Sequence, residues 1–449
     1  AEMGVGIQMV YRSRPIVKAE AAEALMVRTL GSGANGIGYY MYHGGSTPKQ
    51  NNGVGFFSDD GMGMPKISYD YQAPIGEFGL VRDSYQNLRI LHTFLKDFGS
   101  ILAPMETVLP EGYEKITPDN RETLRYAARM KEDAGFIFMT NFQDHDTARF
   151  DQTDLQLKLK LKKQTLIIPS SKTFTLKKDQ SVILPFNLSM EGALLKYSTT
   201  QLLAKVEEKN AVHYFFFAPE GLRTEYSFDK STLSSGKEFY TPKPGLKSTF
   251  SITVKNGKTL KITTLTRQQA LNTTKVNNHI LITEATVLPE KEQCTLLSLG
   301  KTQISYALYT ANKGWKEETI EVQPVDVKAD WKKVGTRRMT VKIDQPDVPQ
   351  VNDYFLRVNY VADVAMAFIG GYLVLDHYYY GIPWTIGLRR FKNELKNEYL
   401  SFYFRPLRKD APFIGDLPVE AIPDFSQKDA DCLVRSVDVI PEYKAIVNI

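Results

Sequence analysis

The sequence predicts a multidomain chain that opens as α/β and continues as all-β, and three observations carry that expectation. A chain of 449 residues exceeds what a single core holds, because domains usually run to roughly 100 to 200 residues. Residues 1–104 read in the order strand, helix, strand, loop, helix. From Arg121 onward the pattern turns to short apolar segments at period two, separated by turn residues.

The opening segment sets the α/β part. Val17 to Leu30 is rich in Ala, Leu, Met and Glu and predicts a helix closed by Gly31. Ile37 to Tyr42 predicts the next strand, which Gly44-Gly45 ends by freeing the backbone to turn. Asp83-Ser84 is expected to cap a second helix, with Leu88, Leu91, Leu95 and Phe98 on one face and Gly99 as its stop. This βαβα order suits either a parallel barrel or a doubly wound sheet.

Met105 to Asn120, rich in Glu, Pro and Gly, reads as a linker or extended arm. Residues 121–240 then predict a β-sandwich domain. Leu124 to Arg129 and Gly135 to Asn141 flank a Lys131-Glu132-Asp133 turn, and Leu155 to Leu161 alternates Leu with Gln or Lys. Such alternation turns each Leu to a core and Lys158, Lys160, Lys162 and Lys163 to water, where lysines protect strand edges. Residues 241–324 are a further β-rich domain or its continuation, with Asn256-Gly257 as a type I′ hairpin signal and one short helix at Arg267 to Asn272. Residues 325–449 place strands at Phe355 to Tyr360, Val364 to Ile369, Tyr372 to Asp376, Leu400 to Arg405 and Cys432 to Ile440, a spacing that suggests a sandwich.

Composition narrows the function. Fifty-six basic against fifty-one acidic residues, a net charge of +5, give no reason to expect a nucleic-acid partner. Cys294 and Cys432 are too few for a disulfide framework, and the six histidines lack ligand spacing, so neither a metal nor another cofactor is expected. The apolar run Val364 to Ile386 holds Asp376, His377, Pro383 and Gly370-Gly371, which makes it a hairpin and not a membrane span.

The chemistry concentrates between Gly38 and Gly79. Tyr39, Tyr40 and Tyr42 end a strand, and Tyr69 and Tyr71 alternate with Asp70 and Gln72 before Pro74 fixes the exit. Phenols on an ordered loop beside a strand end suit a sugar, since a ring face takes the apolar C–H patch of a pyranose while the hydroxyl hydrogen-bonds it. Packing in a core is the alternative for Tyr40. Asp70 is expected to anchor its own loop through backbone N–H groups, and His43 to be structural. In Asp376 to Trp384 the rings of Tyr378, Tyr379, Tyr380 and Trp384 read as a partly buried corner, with a sugar-stacking platform as the alternative.

Gly38-Tyr39-Tyr40-Met41-Tyr42-His43-Gly44-Gly45-Ser46 and Ser68-Tyr69-Asp70-Tyr71-Gln72-Ala73-Pro74 resemble the end of the catalytic barrel of glycoside hydrolase family 35, the β-galactosidases. The resemblance reaches back to Ala1-Glu2-Met3-Gly4 and forward through Leu124 to Asp146, and more loosely to the last hundred residues. It selects the barrel, so residues 1–104 become the last two βα units, strands seven and eight, of a TIM (β/α)8 barrel, followed by antiparallel sandwiches ending in a jelly roll. It further implies Glu2 as nucleophile of a retaining, exo-acting enzyme that releases terminal β-galactose, with Tyr40 and Tyr71 at the galactose subsite and Tyr69 on the same wall. Ser46 stands where relatives carry threonine, and Thr47-Pro48-Lys49 departs from their continuation. The acid/base glutamate of the family has no counterpart here, and neither Glu77 nor Asp70 is expected to replace it. A complete barrel takes about 250 residues, so the expectation is that an N-terminal barrel segment belongs to the same or a companion chain. The expected partner is a galactose-containing oligosaccharide or polysaccharide, and the resemblance favours a periplasmic or secreted location. A non-catalytic sugar-binding or scaffold protein is the alternative function.

Overall fold

A computed structural model describes residues 2–48, 63–144, 146, 148–162, 164–311 and 313–449. Ala1, Lys49 and Lys163 of the sequence reading lie outside the described residues, and of Glu2 the backbone alone is described.

Two short strands, β1 (Glu2–Met3) and β2 (Gly38–Tyr39), run parallel with Glu2 opposite Gly38 and Met3 opposite Tyr39. Helix α1 (Ala19–Gly31) makes the crossover between them, as a parallel pair requires. The strand expected over Ile37 to Tyr42 pairs through only those two residues, extended by the Tyr40 amide donating to the Met3 carbonyl at 3.0 Å. Strands β3 (Gly45–Ser46) and β4 (Ser68–Tyr69) form a small antiparallel pair.

Helix α2 (Asp83–Leu102) departs from its expected ends. Arg82 occupies the cap position but its side chain does not cap the helix, and Asp83 lies inside the first turn, where its charge meets the positive end of the helix dipole. Gly99 does not stop it, because Phe98 and Leu102 on the last turn are buried and that burial outweighs a glycine cost of about 1 kcal/mol. The buried faces of both helices share one core with the next domain: Met26 and Leu30, Leu91 and Phe94 pack with Phe136, Phe138, Phe216 and Ile262.

That domain is a sandwich. Its seven-stranded antiparallel sheet includes Arg125–Lys131, Ala134–Thr140 and Ser181–Met190. The facing five-stranded sheet joins Gln201–Glu207 and Ala211–Ala218 to Thr259–Thr266, the last two in parallel. The sheets therefore cross the expected boundary at residue 240, since strands at Thr249–Val254 and Thr259–Thr266 complete a sheet begun at Gln201. Within the expected linker, Glu106–Val108 is the edge strand of the larger sheet. The Leu157–Lys160 strand keeps its period-two exposure. At the Lys255 to Lys258 turn only Gly257, at φ 86°, takes positive φ, so the hairpin is not of type I′.

A four-stranded antiparallel sheet follows from Thr273–Val276 to Gly314–Glu321. The C-terminal sandwich packs two five-stranded antiparallel sheets over a common core of Leu356, Val358, Ala365, Phe402 and Phe404. Its longest strand, the 16 residues Leu433–Asn448, pairs with Val351–Val361 at one end and with Gln293–Leu299 at the other. The expected division at residue 324 is thus bridged by main-chain hydrogen bonds. Tyr379, Tyr380 and Trp384 are buried in this sandwich, as a corner requires. No helix among the described residues is long and apolar enough to cross a membrane.

Candidate active site

Strand β4, the loop that follows it and the residue after β2 bring three phenols together. The Tyr40 and Tyr69 hydroxyls lie 2.5 Å apart, and the Tyr71 hydroxyl donates to that of Tyr69 at 3.4 Å. Tyr40 and Tyr71 meet edge to face at 5.4 Å between ring centroids, while Tyr69 and Tyr71 are 4.6 Å apart. Tyr40 is 37% exposed, so it is displayed and not packed in a core. Burial and the two neighbouring phenols push the Tyr71 hydroxyl well above the ordinary tyrosine value, which keeps it a neutral donor.

Tyr71 and Gln72 hold positive φ values of 55° and 50°. That conformation costs of order 1–3 kcal/mol per non-glycine residue and persists only where neighbours over-determine it. Asp70 supplies one such constraint: its carboxylate accepts from the amides of Gln72 and Glu77 at 3.2 and 2.7 Å and from Arg82 at 2.6 Å. Gln72 supplies another, donating from Nε2 to the Pro15 carbonyl at 2.9 Å and accepting from the Val17 amide at 3.3 Å. Two glycines let the backbone close in. A Cβ on Gly6 would stand 2.2 Å from the Tyr71 carbonyl oxygen, and one on Gly44 2.7 Å from that of Asp70.

The C-terminal sandwich holds the segment that leads into β4. The buried Asp376 carboxylate accepts from the backbone amides of Lys66, Ile67 and Ser68, and the Tyr378 hydroxyl donates to the Met64 carbonyl at 3.1 Å. Sequence reasoning gave Asp376 no such role. A carboxylate that acts on a loop more than three hundred positions earlier leaves no local signal.

Glu77 is buried and accepts a hydrogen bond from Ser46, with Arg390 at 3.6 Å. Burial pushes its carboxyl up to about 7, against the lowering by Ser46 and Arg390. Glu77 and Tyr71 line a cleft of about 1190 Å³ that runs between this loop, the four-stranded sheet and the C-terminal sandwich. Of the three phenols, Tyr71 lines it. His43 donates from Nδ1 to the Gly44 carbonyl, a structural use of its ring.

The four residues singled out from sequence are thereby placed as follows. Tyr40, Tyr69 and Tyr71 converge. Glu2 lies on the strand adjoining the one that leads into Tyr40, directly opposite Gly38. Hydroxyls and ring edges gathered at the end of a parallel strand pair can bind a polyhydroxylated ring, and the neighbouring strand carries a carboxylate residue.

Comparison with known proteins adds a family. Residues 2–95 match glycosyl hydrolases family 35, and residues 111–286 match β-galactosidase domain 2, which together span more than half of the chain. A relative, Beta-galactosidase 6 of Oryza sativa subsp. japonica, is 27% identical over 144 residues, covering 32% of this chain and 15% of the relative. The chain thus matches only a small part of that relative's length. Among solved structures, a family 31 α-xylosidase from Xanthomonas citri aligns at 10% identity over 76% of this chain and 37% of its own, with a TM-score of 0.11, too low to bear on the fold.

Proposed function

The chain belongs to glycoside hydrolase family 35, and from that premise we propose that it is the C-terminal part of a retaining, exo-acting β-galactosidase-like enzyme releasing terminal β-galactose from glycans. In this reading β1, α1 and β2 are the end of a (β/α)8 barrel, whose active site gathers at the C-terminal ends of the strands, and the C-terminal sandwich is a jelly roll. The observation that carries the reading is the convergence of the Tyr40, Tyr69 and Tyr71 hydroxyls beside the strand that bears Glu2.

Each residue then has a role. The Glu2 carboxylate attacks the anomeric carbon and displaces the aglycone oxygen, forming a glycosyl ester that water later hydrolyses with net retention. The phenol hydroxyls bond the galactose hydroxyls, and a ring face receives its C–H patch. The reaction also needs an acid to protonate the departing oxygen. We assign that acid to barrel strands outside these 449 residues, in the same or a companion chain.

Galactose titration tests the phenol cluster. Tyr71→Phe removes one hydrogen-bonding hydroxyl while keeping the ring, and affinity is expected to fall by about fivefold to tenfold, the worth of roughly 1 kcal/mol. Unchanged affinity in both Tyr71→Phe and Tyr40→Phe contradicts the assignment.

A further inference from the structure

We propose that Glu77 is a positioning residue of the galactose subsite, holding Tyr69 in place through the hydroxyls of Ser46 and Ser68 when its carboxyl is ionised. The inference rests on the galactose reading of the phenols and adds a residue outside them that regulates their hold on the sugar.

Little main-chain pairing secures Tyr69. Strands β3 and β4 are two residues each, with Gly45 opposite Tyr69 and Ser46 opposite Ser68. Residues directly opposite share a face and neighbours along a strand point to opposite faces, so Ser46 and Ser68 present their hydroxyls on one side of the pair and Tyr69 its ring on the other. The Glu77 carboxylate accepts from both hydroxyls. It therefore bridges the two strands one residue away from the phenol. The Glu77 amide donates to Asp70 at 2.7 Å, and Asp70 also accepts from the amide that follows Tyr71, so the bridge is anchored in the loop that carries the second phenol.

The C-terminal sandwich joins this contact. Arg390 donates from Nη1 to the Ser46 hydroxyl oxygen, which leaves the Ser46 hydrogen for Glu77, and the same Nη1 lies 3.6 Å from the Glu77 carboxylate. Ionised, Glu77 accepts charge-assisted hydrogen bonds, each about twice as strong as a neutral one. Protonated, it loses that strength, and its own O–H becomes a third donor beside the two serines. The charged groups that bear on it are Asp70, itself paired with Arg82, which disfavours ionisation, and Arg390, which favours it. Burial outweighs Arg390 and the serines and places the change at about 7. The ionised hold thus costs the fold stability, because the charge is buried, while it tightens β4.

Galactose is titrated calorimetrically into the full chain between pH 6 and 8, in buffers of different ionisation enthalpy. Affinity is expected to rise by about fivefold across this range. Binding that favours the ionised form must, by linkage, release protons near pH 7. Glu77→Gln, which keeps an acceptor oxygen and lacks the charge, is expected to bind at the low-pH level throughout and to release none. Arg390→Ala removes the cation that favours ionisation and should move the rise to higher pH, whereas Arg390→Lys should keep it nearer its natural place. A pH profile or proton release in Glu77→Gln equal to that of the natural protein overturns the proposal, as does a rise that stays in place or moves to lower pH in Arg390→Ala. If galactose binds at no pH, hydrogen exchange at the β4 amides at pH 8 decides. Faster exchange in Glu77→Gln than in the natural protein supports the hold on Tyr69 and contradicts the galactose reading, and equal exchange overturns the hold as well.

Discussion

Arg14 and Asp363, 349 positions apart, form a buried ion pair at 2.6 Å, with side chains 0% and 7% exposed. Through it the segment that follows β1 is tied to the C-terminal sandwich. The Arg14 guanidinium also donates to the carbonyls of Asp363 and Tyr379 at 2.7 and 3.0 Å and lies 3.4 Å from the centroid of the Phe413 ring, while Arg405 holds the second Asp363 oxygen. Burial lowers the Arg14 pKa and Asp363 opposes that lowering. Charges taken out of water are tolerated only when paired, so removal of one partner strands the other.

Asp363→Ala is therefore expected to cost about 3–5 kcal/mol, because Arg14 is left buried without its counter-ion. Denaturant unfolding followed by the fluorescence of Trp384, which shares the same core, measures this. Arg14→Met combined with Asp363→Leu should recover most of the loss, since an apolar pair does not need a partner.

Glu77 predicts a pH dependence of definite sign. Its carboxyl titrates near 7 in the fold, above the ordinary glutamate value of 4.5, so the folded state binds the proton more tightly than the unfolded chain. The contribution is fully present below about pH 4.5 and is lost as pH rises through about 7, with a total of up to about 3 kcal/mol. Melting curves from pH 4 to 8 should show this loss in the natural protein and not in Glu77→Gln. Parallel pH profiles for the two proteins would remove Glu77 as the source.

The close approach of Gly6 to the phenol loop predicts a contrast between two glycines. Gly6→Ala forces a methyl against the main-chain oxygen of Tyr71, which cannot yield without moving the strained Tyr71-Gln72 pair. It should destabilise the fold by about 1–3 kcal/mol, as overpacking does, and weaken galactose binding. Gly38→Ala has no atom within 4 Å of the added carbon and should leave both unchanged.

Asp376 predicts local loosening. Asp376→Ala leaves the amides of Lys66, Ile67 and Ser68 without their acceptor, at about 1–3 kcal/mol for each that stays buried. Hydrogen exchange should accelerate at these amides first, and Asp376→Asn, which retains one oxygen, should fall between the two. Exchange unchanged at those amides in Asp376→Ala would contradict its role in fixing the loop.

These residues also mark how far the sequence could be read. Tyr69 and Tyr71 were legible as displayed phenols because Asp70 and Pro74 are turn chemistry, and Asp70 does bond the loop amides as expected. The alternation of Leu157–Lys160 gave its two faces directly. Pairing partners were not legible. Period two says which side chains share a face but not which strand lies alongside, so neither the joining of Thr259–Thr266 to Ala211–Ala218 nor the double pairing of Leu433–Asn448 could be foreseen. The hold of Arg14 and Asp376 on distant segments is hidden for the same reason: their partners are set by packing of whole domains.

In the proposed mechanism Glu2 is the nucleophile, on the strand beside the one that leads into Tyr40. A 2-deoxy-2-fluoro-β-galactoside with a good leaving group traps a glycosyl ester, because the fluorine slows its hydrolysis more than its formation. Peptide mass mapping of the protein after exposure to this reagent should place the fluorogalactosyl group on the peptide that contains Glu2, and Glu2→Gln should remain unlabelled. Stable labelling at any other carboxylate, Glu77 included, or equal labelling of Glu2→Gln, contradicts the account.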